Sequence, residues 1–203
     1  MDDKMRCSWP GECEIYKAYH DHEWGKPEHD DKKLFEMLTL EAFQAGLSWI
    51  TILKKRDGFR AAFDGFNPAK VALYDEKKVE ELLQNDKIIR HRGKITATIC
   101  NARAFLDVQQ KYGSFDKMIW SYVDNQPIIG YRKNIGEVPP RTELSDKISK
   151  DLKKMGFKFL GSTTIYAFMQ AVGMVNDHTQ ECFLYPGRQG IRYETASFRK
   201  SEI

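Results

Sequence analysis

A chain of 203 residues, 30% of them charged and with a net charge of +3, reads as one soluble domain, or two lobes sharing one core. No apolar run approaches the roughly 20 residues needed to cross a bilayer. The opening Met1-Asp2-Asp3-Lys4-Met5 is acidic and polar where a signal peptide is basic and then apolar.

A cytoplasmic protein is therefore expected, with Cys7, Cys13, Cys100 and Cys182 as thiols or metal ligands rather than disulfides. The small net charge does not by itself mark a nucleic-acid binder. The clusters Lys54-Lys55-Arg56, Arg90-His91-Arg92-Gly93-Lys94 and Lys153-Lys154 suggest a local basic face, with a solvated surface as the plain alternative.

Cys7 and His20 come first along the chain, answered near the other end by His178 and Cys182. Two thiolates and two imidazoles make a closed tetrahedral zinc site with no position left for chemistry. The i, i+4 spacing of His178 and Cys182 points both the same way if they share a helical turn. The short C-x2-C knuckle is missing, so buried cysteines and ordinary histidines remain the other explanation.

Asp30 and Asp31 cap a helix from Lys32 to about Gln44, which Gly46 stops. Ser48 caps the next, running through Trp49 towards Phe63. Asn67-Pro68 is an N-cap followed by proline at the first helical position. Asp75 opens an amphipathic stretch with Val79, Leu82 and Leu83 on one side. Lys94 to Tyr112 is a long helix ended by Gly113, Ser114 to Val123 a short one, and Asn125 to Pro140 a loop. Helices from Ser145 to Met155 and from Ser162 to Val172 follow. Strand alternation is scarce, so an all-α fold is expected. Residues 1–187 would form the domain and 188–203 a polar, mobile tail.

Within the helix from Lys32, the residues Leu34, Leu38, Glu41 and Ala45 fall on one narrow stripe. A carboxylate in the middle of an apolar face needs either a buried Arg or Lys partner or a ligand. Tyr16, Tyr19, Trp24 and Trp49 lie close by in sequence and can supply stacking faces and a hydroxyl. Further on, Gly156 and Gly161 bound a tight turn between two helices; the first suits a left-handed helix end, the second a close backbone approach. Ser162, Thr163 and Thr164 then offer N–H groups and hydroxyls at a positive helix end, where a phosphate can sit without its sequence being read. An ordinary αα-turn has the same appearance.

Several stretches taken together resemble a known family. They are Arg6-Cys7-Ser8-Trp9, Ala18-Tyr19-His20-Asp21-His22-Glu23-Trp24-Gly25, Lys33-Leu34-Phe35-Glu36-Met37 and Leu40-Glu41-Ala42-Phe43-Gln44-Ala45-Gly46-Leu47-Ser48-Trp49-Ile50-Thr51. Ile88-Ile89-Arg90-His91-Arg92-Gly93-Lys94-Ile95, Gly156-Phe157-Lys158-Phe159 and Val175-Asn176-Asp177-His178 continue the pattern. The family is the bacterial 3-methyladenine DNA glycosylase I enzymes, within the helix-hairpin-helix glycosylases, and the likeness runs from about Met5 to Gly187.

The resemblance implies a two-lobed helical fold with a helix-hairpin-helix, and excision of N3-methyladenine from alkylated double-stranded DNA. It implies one structural zinc on Cys7, His20, His178 and Cys182, clasping the two ends of the chain. It also implies Glu41 as the acid that recognises the extruded base, with Tyr16, Tyr19 and Trp49 as its aromatic surroundings. Gly46-Leu47, at the turn after the Glu41 helix, is expected to enter the gap the base leaves, with plain core packing as the alternative for Leu47; Lys158, Gly161, Ser162 and Thr163 are expected to hold the DNA backbone. Related enzymes that also cut the strand carry a Schiff-base lysine just after the hairpin. Thr163 stands there, so a monofunctional enzyme leaving an abasic site is expected; nothing in the sequence suggests more than a monomer.

Asp177 and Glu181 flank the metal ligands and are expected in structural roles. The chain departs from the pattern at Phe43, a position expected to bear on the pocket wall or the DNA-facing surface. A non-catalytic DNA-binding module would use only the hairpin and basic clusters, and a zinc-clasped scaffold only the four ligands. Neither has a use for an acid among rings.

Overall fold

Helix α2 (Asp31–Gln44) lies at the centre of the fold. Asp30 caps it, its carboxylate accepting from the Lys33 N–H at 2.9 Å, and every residue from Leu34 to Phe43 is buried. The structure, a computed structural model, describes residues 4–188.

Before α2 stands α1 (Glu14–His22); after it come α3 (Trp49–Lys54), α4 (Arg56–Ala62), α5 (Pro68–Val71), α6 (Glu76–Gln84), α7 (Arg92–Tyr112), α8 (Phe115–Trp120), α9 (Glu143–Lys154) and α10 (Ser162–Ala171). Helices α3, α7, α8 and α10 pack on α2, and α9 packs on α10. Two aromatic groups fill the core: Phe35, Phe105 and Phe115 on one side, Phe43, Phe59, Phe63 and Phe66 on the other. Each such ring contributes roughly 1.5–3 kcal/mol of burial. No helix among the described residues is long and apolar enough to cross a membrane.

The helical expectation holds, with one small exception. Within the expected loop, β1 (Ile128–Ile129) pairs in parallel with β2 (Val175–Asn176), the only sheet among the described residues. Caps fall where expected at Asn67 and Asp75, each accepting backbone N–H groups of its own helix, and Gly113 ends α7 at φ +87°.

Several boundaries differ. The expected single helix from Ser48 to Phe63 breaks at Lys55, whose φ of −102° and ψ of 1° separate α3 from α4. The break lets Trp49 face Tyr19 while Phe59 turns onto Phe43. Helix α9 begins at Glu143, because Ser145 is the third residue of a capping box and exchanges bonds with Thr142. Helix α7 starts before Lys94, capped by the His91 imidazole. His178 and Cys182 share no helical turn; their segment is irregular. Of the polar tail, residues 189–203 lie outside the described residues.

The basic clusters do not make one face. Arg56 is held by Glu23 and Glu36, Arg92 by Glu76 and Glu80, and Lys94 is buried.

Candidate active site and metal cluster

The stripe expected on α2 is not what buries Glu41. The helix is enclosed on all sides, and Ala45, the last stripe residue, is exposed. Glu41 is only 4% exposed yet has no ion pair or hydrogen bond among the described residues, and its Oε2 is buried without a partner. No Arg or Lys among the described residues neutralises it. It opens onto a cavity of about 200 Å³ lined by Trp9, Tyr16, Tyr19, Trp24 and Trp49. That is several times the roughly 30 Å³ share of one water.

Burial pushes the Glu41 carboxyl up to about 8, since the charged form loses its hydration and gains no partner. Tyr16 and Tyr19 are raised too, first by burial and then by the nearby Glu41 charge. Two indole N–H groups, Trp9 Nε1 and Trp49 Nε1, are likewise buried and unpartnered. Each of these three orphaned atoms belongs to a residue of the cavity wall, and a buried polar group without a partner costs roughly 1–3 kcal/mol. A ligand with both donors and acceptors, flat enough to lie between rings, would relieve them.

Tyr16, Tyr19 and Trp49 all line this one cavity. The wall also includes Trp9, Gln44, Ile135, Val138, Ala167 and Gln170, which residue-level reasoning missed. Trp9 was within reach, since it follows Cys7 by two positions. Ile135 and Val138 come from the 125–140 loop and carry no sequence signature. Phe43 differs from expectation: it is fully buried and packs at tilted angles against Phe59 and Phe63, touching neither the cavity nor the surface.

Behind the cavity, Cys7, His20, His178 and Cys182 are all buried, with ligand atoms within 4.8 Å of one another. Sulfur-to-nitrogen separations are 3.6 Å for Cys7–His178, 3.5 Å for Cys182–His20 and 3.4 Å for Cys182–His178. A tetrahedral centre with metal–sulfur bonds of roughly 2.3 Å and metal–nitrogen bonds of roughly 2.0–2.1 Å requires edges near 3.5 Å.

The outer contacts also suit a metal. His20 Nδ1 meets Asp21 Oδ1 at 2.8 Å, leaving Nε2 for the centre. His178 Nε2 meets the Trp24 carbonyl at 3.2 Å, leaving Nδ1. Such partners fix tautomer and ring orientation at metal sites. Backbone N–H groups of Thr179 and Leu184 donate to the two sulfurs. A hydrogen bond from Cys182 draws the Cys7 thiol far below its ordinary range; the same bond, with burial, raises Cys182. The four residues thus form a buried group able to hold a metal ion.

Cluster and cavity share a wall. The Trp24 ring lies 4.7 Å from His178 and 6.1 Å from His20, and Trp9 lies 5.3 Å from His20. Gly25 lets the chain pass: its φ is +75°, and a Cβ there would meet the His178 ring at 3.1 Å.

Asp177 is fully buried and accepts from Tyr166, Gln170 and Arg132, while Glu181 is exposed. Leu47 is 39% exposed, on the turn that leaves α2 through Gly46 at φ +81°, so it is not core packing. The α9–α10 turn ends α9 with Gly156 at φ +95°. It leaves Lys158, Gly161 and Thr163 exposed. A Cβ at Gly161 would meet nothing within 4 Å. The Ser162 hydroxyl is engaged with Ser145 at 2.8 Å.

Comparison with known proteins assigns the class. Residues 9–185 match the methyladenine glycosylase family, so the chain belongs to that family, whose members are N-glycosyl hydrolases. It is 54% identical over 184 residues to DNA-3-methyladenine glycosylase 1 of Escherichia coli, covering 91% of this chain and 98% of that one. A crystal structure of a 3-methyladenine DNA glycosylase I superposes with a TM-score of 0.88 at 54% identity, over 90% of this chain and 100% of the other. The Staphylococcus aureus 3-methyladenine DNA glycosylase I, solved for its 3-methyladenine recognition, gives 0.87 at 39% identity, over 89% and 96%.

Proposed function

We propose that this enzyme flips N3-methyladenine out of alkylated double-stranded DNA and hydrolyses its glycosidic bond, leaving an intact strand with an abasic site. The observation that carries this is Glu41, a buried, unpartnered acid facing a cavity lined by aromatic rings. Support comes from the relatives named for 3-methyladenine, one of them solved for its recognition of that base.

A base methylated at N3 carries positive charge on its ring and is already a good leaving group. The rings of Tyr16, Tyr19 and Trp49 attract such a cation through their π faces. Glu41 accepts from the adenine amino group, and the cation in turn favours its ionised form. Normal adenine is uncharged and gains less from the same cavity, so discrimination arises in binding the charged leaving group. The base must leave the stack to reach the site, and Leu47, presented by the Gly46 turn, fills the gap. Lys158, Gly161, Ser162 and Thr163 hold the backbone as the turn of a helix-hairpin-helix. Thr163 cannot form a Schiff base, which leaves hydrolysis without strand cleavage.

Residues 1–187 act in this scheme as one two-lobed, monomeric, cytoplasmic domain, with 188–203 as its polar tail. Cys7, His20, His178 and Cys182 hold zinc as a structural ion, since four protein ligands leave no position for substrate.

Base release from methylated duplex tests the scheme. Free N3-methyladenine and a strand broken only after alkali are expected. A Glu41→Gln variant that folds should release base slower by on the order of 10²-fold. Binding without release would point instead to a non-catalytic DNA-binding module.

A further inference from the structure

We infer that Lys94 and Asn101 are positioning residues: together they fix the separation between the Gly46-Leu47 turn and the α9–α10 turn. The inference rests on the DNA-contacting roles proposed above for those turns. Both residues stand on α7, seven positions apart, so they share a face and lie about 10 Å apart along the axis.

Lys94 reaches one turn. Its Nζ donates to the Phe43 carbonyl at 2.9 Å and the Ala45 carbonyl at 2.6 Å, groups that a helix C-terminus otherwise leaves unsatisfied. The lysine is 8% exposed, and no carboxylate pairs with it among the described residues. Its charge is held only by the negative end of α2, so the Lys94 ammonium sets where the chain turns towards Leu47.

Asn101 reaches the other. It is 2% exposed; its Oδ1 accepts from the Lys158 N–H at 2.7 Å and its Nδ2 donates to the Lys158 carbonyl at 3.0 Å. Both backbone groups of one turn residue are thereby fixed, next to Phe159 at φ +59°. The N-cap of the same helix backs this turn again, where the His91 ring lies 6.3 Å from Phe159. One rigid helix therefore grips both turns, and neither can shift against the other without breaking two hydrogen bonds. A wedge and a phosphate grip that act on one flipped nucleotide need such a fixed register, because a misplacement of about 1 Å can lower a rate roughly 10²-fold.

Lys94→Met and Asn101→Leu remove the bonds while nearly keeping the shape. Single-turnover base release from methylated duplex would be compared with affinity for free 3-methyladenine, read by tryptophan fluorescence. Release should fall roughly tenfold or more while free-base affinity stays within about twofold. The double variant should lose less than the product of the single losses, because the second anchor has nothing left to hold in register. Parallel loss in both assays would show a merely structural role, and unchanged release no role; either overturns the inference. If a variant fails to fold, Lys94→Gln and Asn101→Asp, which keep a donor or an acceptor, are judged by the same split. Wild-type protein that binds duplex without releasing base would overturn the functional proposal instead, and the anchors would then be judged on duplex affinity against free-base affinity.

Discussion

Glu41 has two consequences, one for chemistry and one for stability. The folded protein keeps the Glu41 proton up to about pH 8, against 4.5 for an ordinary glutamate. Between those values the folded state binds more protons than the unfolded chain, so stability declines as pH rises. The expected loss is on the order of a few kcal/mol by pH 8. Glu41→Gln should abolish this component, leaving the variant as stable as wild type near pH 4.5 and more stable near pH 8. Denaturant titrations across that range check it; parallel curves for the two proteins would mean the carboxyl is not buried unpaired. An acid in an apolar helix was legible from periodicity, and the orphaned state of its Oε2 was not, because absence of a partner is a property of the whole fold. Phe43 shows the opposite limit: one residue's type says nothing of which side of an enclosed helix it meets.

At the scale of elements, breaks were not readable and capping chemistry was readable only in part, since Ser48 stands before α3 without a side-chain cap bond. Asp30, Asn67 and Asp75 cap as their side chains dictate, whereas Cys13 opens α1 without a side-chain bond and gave no signal. The division of α3 from α4 follows from where Trp49 and Phe59 must point, a tertiary demand that local propensity does not carry. The two turns meet the same limit: glycines marked them, but their joint attachment to α7 depends on side chains dozens of residues away. They also invite separate tests. Lys158→Ala should weaken binding to any duplex and reduce the magnitude of the salt-dependence slope by about one, as expected for a lost phosphate contact. Leu47→Ala should leave duplex affinity within a few-fold but slow base release by about tenfold, because an emptied gap lets the base return to the stack. If Leu47→Ala instead left release unchanged, the wedge would have to be sought elsewhere.

Across the whole molecule, the candidate metal site joins residues from both ends of the sequence, Cys7 and His20 with His178 and Cys182. A metal bound there would cross-link distant positions and remove much conformational freedom from the unfolded chain, and the binding free energy of a structural zinc would add directly to folding. Its influence does not stop at stability, because Trp9 and Trp24 lean on the ligand rings and also form the cavity wall. Removing metal with a chelator, or replacing Cys182 with alanine, should therefore lower the unfolding temperature and weaken free 3-methyladenine binding together. The coupling has a direction that distinguishes it from Glu41→Gln, which should impair base release while leaving the metal content and the melting of the cluster intact. Metal analysis, thermal melts and base titration on the same preparations read all three. Loss of metal with unaltered base affinity would show that the aromatic wall stands without its support.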